Sequence, residues 1–421
     1  MPLERELSRL RVYALVTYPF ACVPFLFLFF ADHGMGPGQY GEVLTAYYLV
    51  MFLAEVPTGM MADRIGPKCM LMLGPIILAA GFAVMVIWPD YSGFLLGEML
   101  LGLGHSVLSG PPTVALYEAL SKEGQEHRYL AEESRIHALR LYGTGSAFLL
   151  GGVLVHFGNQ AGTAYSTAIV ITCCLHLLAA IIASRLSRPE RKSRAESPRV
   201  FLGHARQEMQ KPAVRWLLFY WVVLFTVLRF PFHNYQPYLK AAAEIEPFFA
   251  NAVLVGVLFA VLNLVAAPLS SCVPQLVERF GRRPLFWGMP LVLCASLLLM
   301  SYERQLAGSG ESSRVWCWIA VSMFFVQQVP FAMHWPLLHE FVNHRIGPTA
   351  RTTVLSVISL GARAVYAFVN LQLFHLQQSS GLATALLVTA VGGAVVATLV
   401  LWLRPAGLLR GAKHEAAKRA R

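Results

Sequence analysis

The sequence predicts an all-α membrane protein, with twelve transmembrane helices in two pseudo-symmetric six-helix bundles, and three observations predict it. Hydrophobic residues make up 56% of the 421 positions and charged residues 14%, with a mean hydropathy of +0.54, too apolar for a soluble protein of this length. Apolar runs of membrane-crossing length recur from end to end. A short charged turn also occurs twice, as Gly59-Met-Met-Ala-Asp63-Arg64-Ile-Gly66-Pro67-Lys68 and Glu278-Arg279-Phe-Gly281-Arg282-Arg283, with Gly281 lying 215 residues after Gly66.

A hydrocarbon core about 30 Å thick needs about 20 helical residues. In the first half the spans fall at 12–30, 40–61, 70–88, 93–116, 136–157 and 164–183. In the second half they fall at 216–228, 252–273, 285–300, 315–329, 354–373 and 383–403, and they are numbered 1 to 12 in chain order. The first run is a full span followed by others, so it reads as span 1 and not as a cleavable signal. Residues 186–213 are charged and proline-bearing, too polar to cross lipid, and read as a cytoplasmic linker with a short surface helix around 204–211. The predicted division is thus an N-terminal bundle over 1–185, the linker over 186–213, a C-terminal bundle over 214–404 and a basic tail over 405–421.

The net charge of +11 raises the question of nucleic acid, and its distribution excludes it. Lys and Arg gather in alternate loops: Arg64 and Lys68; Lys122, Arg128 and Arg135; 185–215; Arg279, Arg282 and Arg283; Arg345 and Arg351; and 404–421. The opposite loops hold Lys240, Arg304 and Arg314. This bias places both termini in the cytoplasm of a protein of the cytoplasmic (inner) membrane. The partner of the apolar surface is the lipid bilayer, and the chain reads as a monomer. The seven cysteines lie in or at the ends of apolar helices without a CxxC pair and read as free thiols.

The duplication extends beyond the turn. Leu116-Tyr117-Glu118 near the end of span 4 is echoed by Leu338-His339-Glu340 near the end of span 10. Two halves with landmarks in the same order imply a pseudo-twofold axis along the membrane normal, the arrangement of a transporter. The turn resembles the loop 2–3 motif of the major facilitator superfamily, and Glu55-Val-Pro-Thr-Gly59 before it resembles a branch rich in efflux proteins.

The resemblance implies that this loop braces the cytoplasmic side in the outward-open state, with Asp63 facing the start of span 11. The gating set is then Gly59, Asp63, Arg64, Gly66, Lys68, Glu278, Arg279, Gly281, Arg282 and Arg283. Gly59 and Gly66 are expected to permit close helix approach and a tight turn. Pro67 stands where the family has Arg, so one cation is missing and the loop is stiffer. Gly143, Gly151 and Gly152 match part of the family's span 5 antiporter motif, with Ala147-Phe148 in place of Gly-Pro.

Ionisable groups far from helix ends cost about 2.5 to 3.5 kcal/mol in lipid and should face a cavity or a partner. Here they are Glu98 and His105 in span 4, Arg229 and His233 in span 7, His334 in span 10 and Arg363 in span 11, the candidates for substrate binding or proton coupling. In the resembled family spans 1, 4, 7 and 10 line the central cavity. Arg363 is placed about 16 Å deep, near the bilayer centre. Arg229 and Arg363 point to an anionic substrate group or to buried carboxylate partners. A carboxyl in low dielectric, as Glu98 is, can load and release a proton, and His105 at i+7 can exchange with it. Prolines at 19, 24, 111, 112, 231, 237, 330 and 336 are expected to interrupt or bend spans 1, 4, 7 and 10. Tyr18, Phe20, Phe25, Tyr235, Tyr238, Phe331 and Trp335 around them are candidates for an apolar vestibule.

The string 339–344 resembles a zinc-protease helix, but its second His falls at i+5 instead of i+4, off the face of the first. Glu118 is expected to pair with Arg140 or Arg135, and Glu340 with Arg345 or Arg351. No Gly-rich nucleotide loop occurs, so ATP does not drive the protein directly, and no cofactor or metal is expected. The sequence therefore points to a secondary active transporter, not an enzyme, moving a small-molecule substrate by alternating access, with proton-coupled efflux of an amphipathic compound as the leading reading. Transport of an anionic metabolite or siderophore is the alternative within that class, and a lipid scramblase or an intramembrane enzyme the alternative outside it.

Overall fold

A computed structural model describes residues 2–18, 20–160, 164–187, 203, 206–306, 311–345, 351–406 and 408–409. The described residues are helical almost throughout, as lipid demands of any backbone that must satisfy its own hydrogen bonds. The helices of the first half are α1 (Pro2–Thr17), α2 (Leu26–Asp32), α3 (Pro37–Ile65), α4 (Pro67–Ile87), α5 (Tyr91–Val107), α6 (Pro111–Ser121), α7 (Tyr129–Gln160) and α8 (Ala164–Ser184). Those of the second are α9 (Pro212–Ala242), α10 (Ala252–Ser271), α11 (Val273–Phe280), α12 (Arg282–Leu306), α13 (Glu311–Arg345) and α14 (Arg351–Trp402).

Nine helices are long and apolar enough to cross a membrane among the described residues, and the last of these, Val354–Trp402, holds spans 11 and 12. Gly381 divides that helix with a non-helical backbone, φ 86 and ψ 163. Spans 1 and 4 supply the remaining two, each broken into two pieces, so the twelve predicted spans are all present. Span 1 leaves the helix after Thr17 and resumes through a 3-10 turn at Val23–Phe25. Span 4 breaks between Val107 and Pro111, and Pro111 starts α6, where its missing N–H costs nothing. The other prolines do not interrupt their spans: α9 runs through Pro231 and Pro237, and α13 through Pro330 and Pro336, without leaving the helix.

The chain divides into two compact units, Met1–Pro198 with Pro247–Leu264, and Arg199–Glu246 with Val265–Arg421. Inside the first, α4 packs on α5 and α8, and α3 on α5. Inside the second, α14 packs on α9 and α12, and α12 on α13. Large apolar side chains such as Leu53, Phe157, Phe368 and Trp402 are more than half exposed, the surface of a protein solvated by hydrocarbon. Each unit also carries an ion network centred on a buried glutamate. In the first, Arg11 grips buried Glu132 in bidentate fashion at 2.8 and 2.7 Å, and Arg128 joins both Glu132 and Glu4, tying α1 to α7. In the second, Glu303 holds Arg304 and accepts from the Tyr238 hydroxyl, with Arg304 lying over the Tyr238 ring.

Candidate functional site

The two charged turns share one backbone device. Gly66 ends α3 with φ 85 and ψ 158, and Gly281 ends α11 with φ 78 and ψ 171, a region essentially closed to residues with a Cβ. Pro67 then opens α4 at a helix start, so it is a suitable first residue there. Lys68 donates to the Leu186 carbonyl, while Ser187 N–H and Arg9 bond Glu6 and the Arg185 carbonyl, so the start of the linker is pinned to α1 and the first turn. Asp63 and Glu278 are exposed and have no hydrogen bond or ion pair among the described residues. Arg64, Arg279 and Arg283 are exposed as well, Arg279 lies over the Phe280 ring at 5.4 Å, and Arg282 is buried. Residues 346–350 before span 11, towards which Asp63 is expected to face, lie outside the described residues.

Gly59 does not serve the expected close approach: a Cβ there would meet open space. The close contact belongs to Gly102, where a Cβ would lie 2.5 Å from the Tyr47 carbonyl oxygen, so spans 2 and 4 touch through it. Thr58, next to Gly59, joins the same pair of spans by meeting the Ser106 hydroxyl at 3.1 Å.

In the first unit Glu98 is 4% exposed on α5 and has no hydrogen bond or ion pair among the described residues. Partial solvation from the nearby helix start does not reach it; Cys22 and Tyr40 are close enough to feel its charge. Two turns along, His105 gives its Nδ1–H to the Leu101 carbonyl and sets its ring against Phe20 and Tyr47, each at 5.7 Å. Phe20 belongs to the interruption of span 1. Span 5 covers that interruption with small residues: a Cβ on Gly143 would lie 2.6 Å from the Leu15 oxygen, and one on Gly151 2.0 Å from the Ala21 oxygen. Thr144 donates to the Tyr18 carbonyl, and Arg140 lies 4.4 Å over the Tyr18 ring. Gly152 faces the other way, onto Ala252 and Gly256 of α10.

Arg140 therefore does not pair with Glu118, contrary to expectation. Its Nε and one Glu118 carboxylate oxygen are both buried without hydrogen-bond partners, and burial holds the Glu118 carboxyl above its ordinary range against the pull of Lys122. Glu118 lines a recess of about 210 Å³ with Lys68, Lys122 and Leu186, well away from Glu98. The pairing expected for Glu340, and the string 339–344, lie outside the described side chains. No cluster of three metal-binding side chains occurs among the described residues.

In the second unit the predicted residues converge. The Arg229 guanidinium is ringed by Phe225, Phe232 and Phe331 at 5.3, 5.7 and 5.9 Å. Its Nε is buried without a hydrogen-bond partner, and no carboxylate pairs with it among the described residues. His233 and His334 both lie within reach of its charge. His334 stacks on Trp221 at 5.5 Å with its Nδ1–H on the Phe331 carbonyl, and His233 stacks on Tyr366 at 6.3 Å. Arg363 stands half-buried one turn before Tyr366. Of the proposed vestibule residues, Phe331 belongs to this ring of aromatics, while Tyr238 is buried in the Glu303 network and Tyr235 stacks on Phe324.

A guanidinium at membrane depth costs about 2.5 to 3.5 kcal/mol, and a cation–π contact returns about 0.5 to 2 kcal/mol. The buried Nε–H of Arg229 is a donor without a partner among the described residues. Sequence reasoning assigned Arg140 to Glu118 and not to Tyr18, because near the start of span 5 it reads as a cytoplasmic charge, and it missed His176 on α8, because a single His in an apolar run reads as core.

A family model described as Major Facilitator Superfamily matches residues 12–370. Among solved structures, the chain is similar to a point mutant of the nucleoside transporter NupG at 13% identity and a TM-score of 0.78, covering 94% of this chain and 99% of that one. A bacterial homolog of the human lysosomal transporter Spinster, inward-facing and unoccupied, gives 15% identity and a TM-score of 0.71, covering 95% and 96%. A D-xylose-proton symporter gives 12% identity and a TM-score of 0.69, covering 96% and 97%. No curated protein sequence matches the chain.

Proposed function

The chain belongs to the Major Facilitator Superfamily and is a multi-pass secondary transporter of a small solute, and we propose that this solute is amphipathic, carries an anionic group and moves with protons. One observation carries the anionic reading: half-buried Arg229 lies among phenylalanine rings with its Nε buried and with no carboxylate to pair with among the described residues. A planar guanidinium makes two parallel bonds to a carboxylate or phosphate, and the rings around it suit an apolar body attached to that group. Unpaired Glu98 supports proton coupling, since a carboxyl at that depth is stable when it exchanges its charge for a proton. Export is supported by the resemblance of Glu55-Val-Pro-Thr-Gly59 to efflux proteins. The similar structures are named for a nucleoside, a sugar with a proton, and peptides, so the shared fold leaves the solute open.

The test is a binding screen of aromatic carboxylates against their methyl esters on the purified protein, followed by flux in vesicles with an imposed pH gradient. Carboxylates should bind and esters should not. Arg229→Gln should weaken carboxylate binding by about tenfold or more, the worth of one charge-assisted bond, and Arg229→Lys should recover only part of it. Glu98→Gln should uncouple flux from the gradient while leaving binding in place. Equal affinity for acid and ester would remove the anionic reading, and gradient-driven flux surviving in Glu98→Gln would remove the coupling role of that residue.

A further inference from the structure

Arg140 in span 5 is a cation that the site around Arg229 does not use. Its guanidinium lies 4.4 Å over the Tyr18 ring, at the interruption of span 1, and its Nε is buried with no hydrogen-bond partner. The residue as a whole is half-buried, and it has no ion pair among the described residues. A cation–π contact uses the charge of a guanidinium without consuming its N–H donors, which are the groups that grip a carboxylate.

The backbone sets this cation and its ring together. The Thr144 hydroxyl, one turn on, is shared between the Arg140 carbonyl at 2.8 Å and the Tyr18 carbonyl at 3.2 Å. That bridge fixes the broken end of span 1 against the helix that carries the guanidinium. Glu133, His137, Arg140 and Thr144 fall at i, i+4, i+7 and i+11, along one face of α7. Polar groups inside a membrane face a cavity or a partner, and the cation of this stripe has no protein partner among the described residues. Glu133 is the carboxylate of the stripe; it lies two turns before Arg140, about 10 Å along the helix, and forms no ion pair with it. Where α7 begins, the Tyr129 ring meets the exposed Tyr117 ring of α6 at 5.9 Å, and His137 is exposed as well. The stripe thus offers a guanidinium for an anionic group and aromatic surface for an apolar body.

We propose that Arg140, held on Tyr18, is an anion-binding site of the first unit that takes the carboxylate group of the solute. The inference deepens the anionic reading and rests on it, but it needs no contribution from Arg229.

The test observes the Nε–H resonances of isotope-labelled arginine in the full-length protein in lipid nanodiscs. The Arg140 signal is the one that Arg140→Lys removes, and the Arg229 signal the one that Arg229→Lys removes. Benzoate should shift the Arg140 signal to saturation, in the unaltered protein and in Arg229→Gln alike. Methyl benzoate should leave it in place, and the exposed Arg283 should not respond at the same benzoate concentration. An Arg140 signal that ignores benzoate, moves as far with the ester, moves in step with Arg283, or moves only while Arg229 is intact would overturn the inference. A shift at Arg140 without one at Arg229 would sustain this site and remove the anionic reading drawn from Arg229; a shift at Arg229 alone would do the reverse. If Arg140→Lys does not fold, Tyr18→Leu identifies the signal, because the ring above the guanidinium displaces its resonance.

Discussion

At the scale of single residues, what the sequence displays is a charge out of place. Glu98 and Arg229 stand alone inside apolar runs, and the structure leaves both without an ion partner among the described residues. Residues near a helix end give no such signal. Arg140 and Glu118 read as a cytoplasmic ion pair because both are charged and near the same surface, yet Arg140 turns to Tyr18 and Glu118 stays unpaired. The Glu118 carboxyl is held above its ordinary range by burial. Because the folded state binds that proton more tightly than the unfolded state, the residue opposes folding at neutral pH, and the opposition fades as pH falls through its raised value. Glu118→Gln should accordingly raise the Tm modestly at pH 7 and leave it unchanged near pH 4. A lower Tm for the variant at pH 7 would mean that Glu118 has a stabilising partner.

At the scale of elements, the charged turn was legible as a repeated string, and its geometry explains why the string has a glycine at a fixed place. Gly66 and Gly281 adopt the same left-handed, extended backbone. A Cβ at such a position costs about 1 to 3 kcal/mol of strain. Gly66→Ala should therefore lower stability by about that amount and slow transport, whereas Gly59→Ala, facing open space, should leave stability unchanged. We propose that Asp63 acts in gating: it is exposed and has no hydrogen bond or ion pair among the described residues, so Asp63→Ala should preserve folding and expression and depress turnover in a vesicle assay. Unchanged turnover would reduce the turn to a topology signal. The broken spans were half legible. Prolines mark spans 1, 4, 7 and 10 alike, but only spans 1 and 4 leave the helix. A proline within a packed span loses one backbone bond that neighbouring helices can tolerate, and Pro111 sits at a helix start where it loses none. The difference lies in tertiary packing, which a proline count does not contain.

At the scale of the whole molecule, composition and the repeat sufficed for the fold, because lipid allows so few backbone arrangements. Orientation rests on a different argument, the imbalance of Lys and Arg between alternate loops, and a native thiol can test it. Cys69 is exposed one residue after Lys68, at the start of α4 in the first basic turn. Cys174 is exposed too, but in the middle of α8, where its neighbours are lipid chains. A membrane-impermeant maleimide reacts with a thiolate in water, so it should distinguish these two thiols although both are exposed. If the basic loops are cytoplasmic, the reagent should modify Cys69 in inverted vesicles of a Cys272→Ser variant, whose exposed Cys272 lies beside the second basic turn, and leave it untouched in intact cells, and adding Cys69→Ser should abolish that labelling while Cys174 stays unmodified in both. Labelling of Cys69 from the outside of intact cells would reverse the orientation, and with it the side on which Asp63 and Glu278 would act.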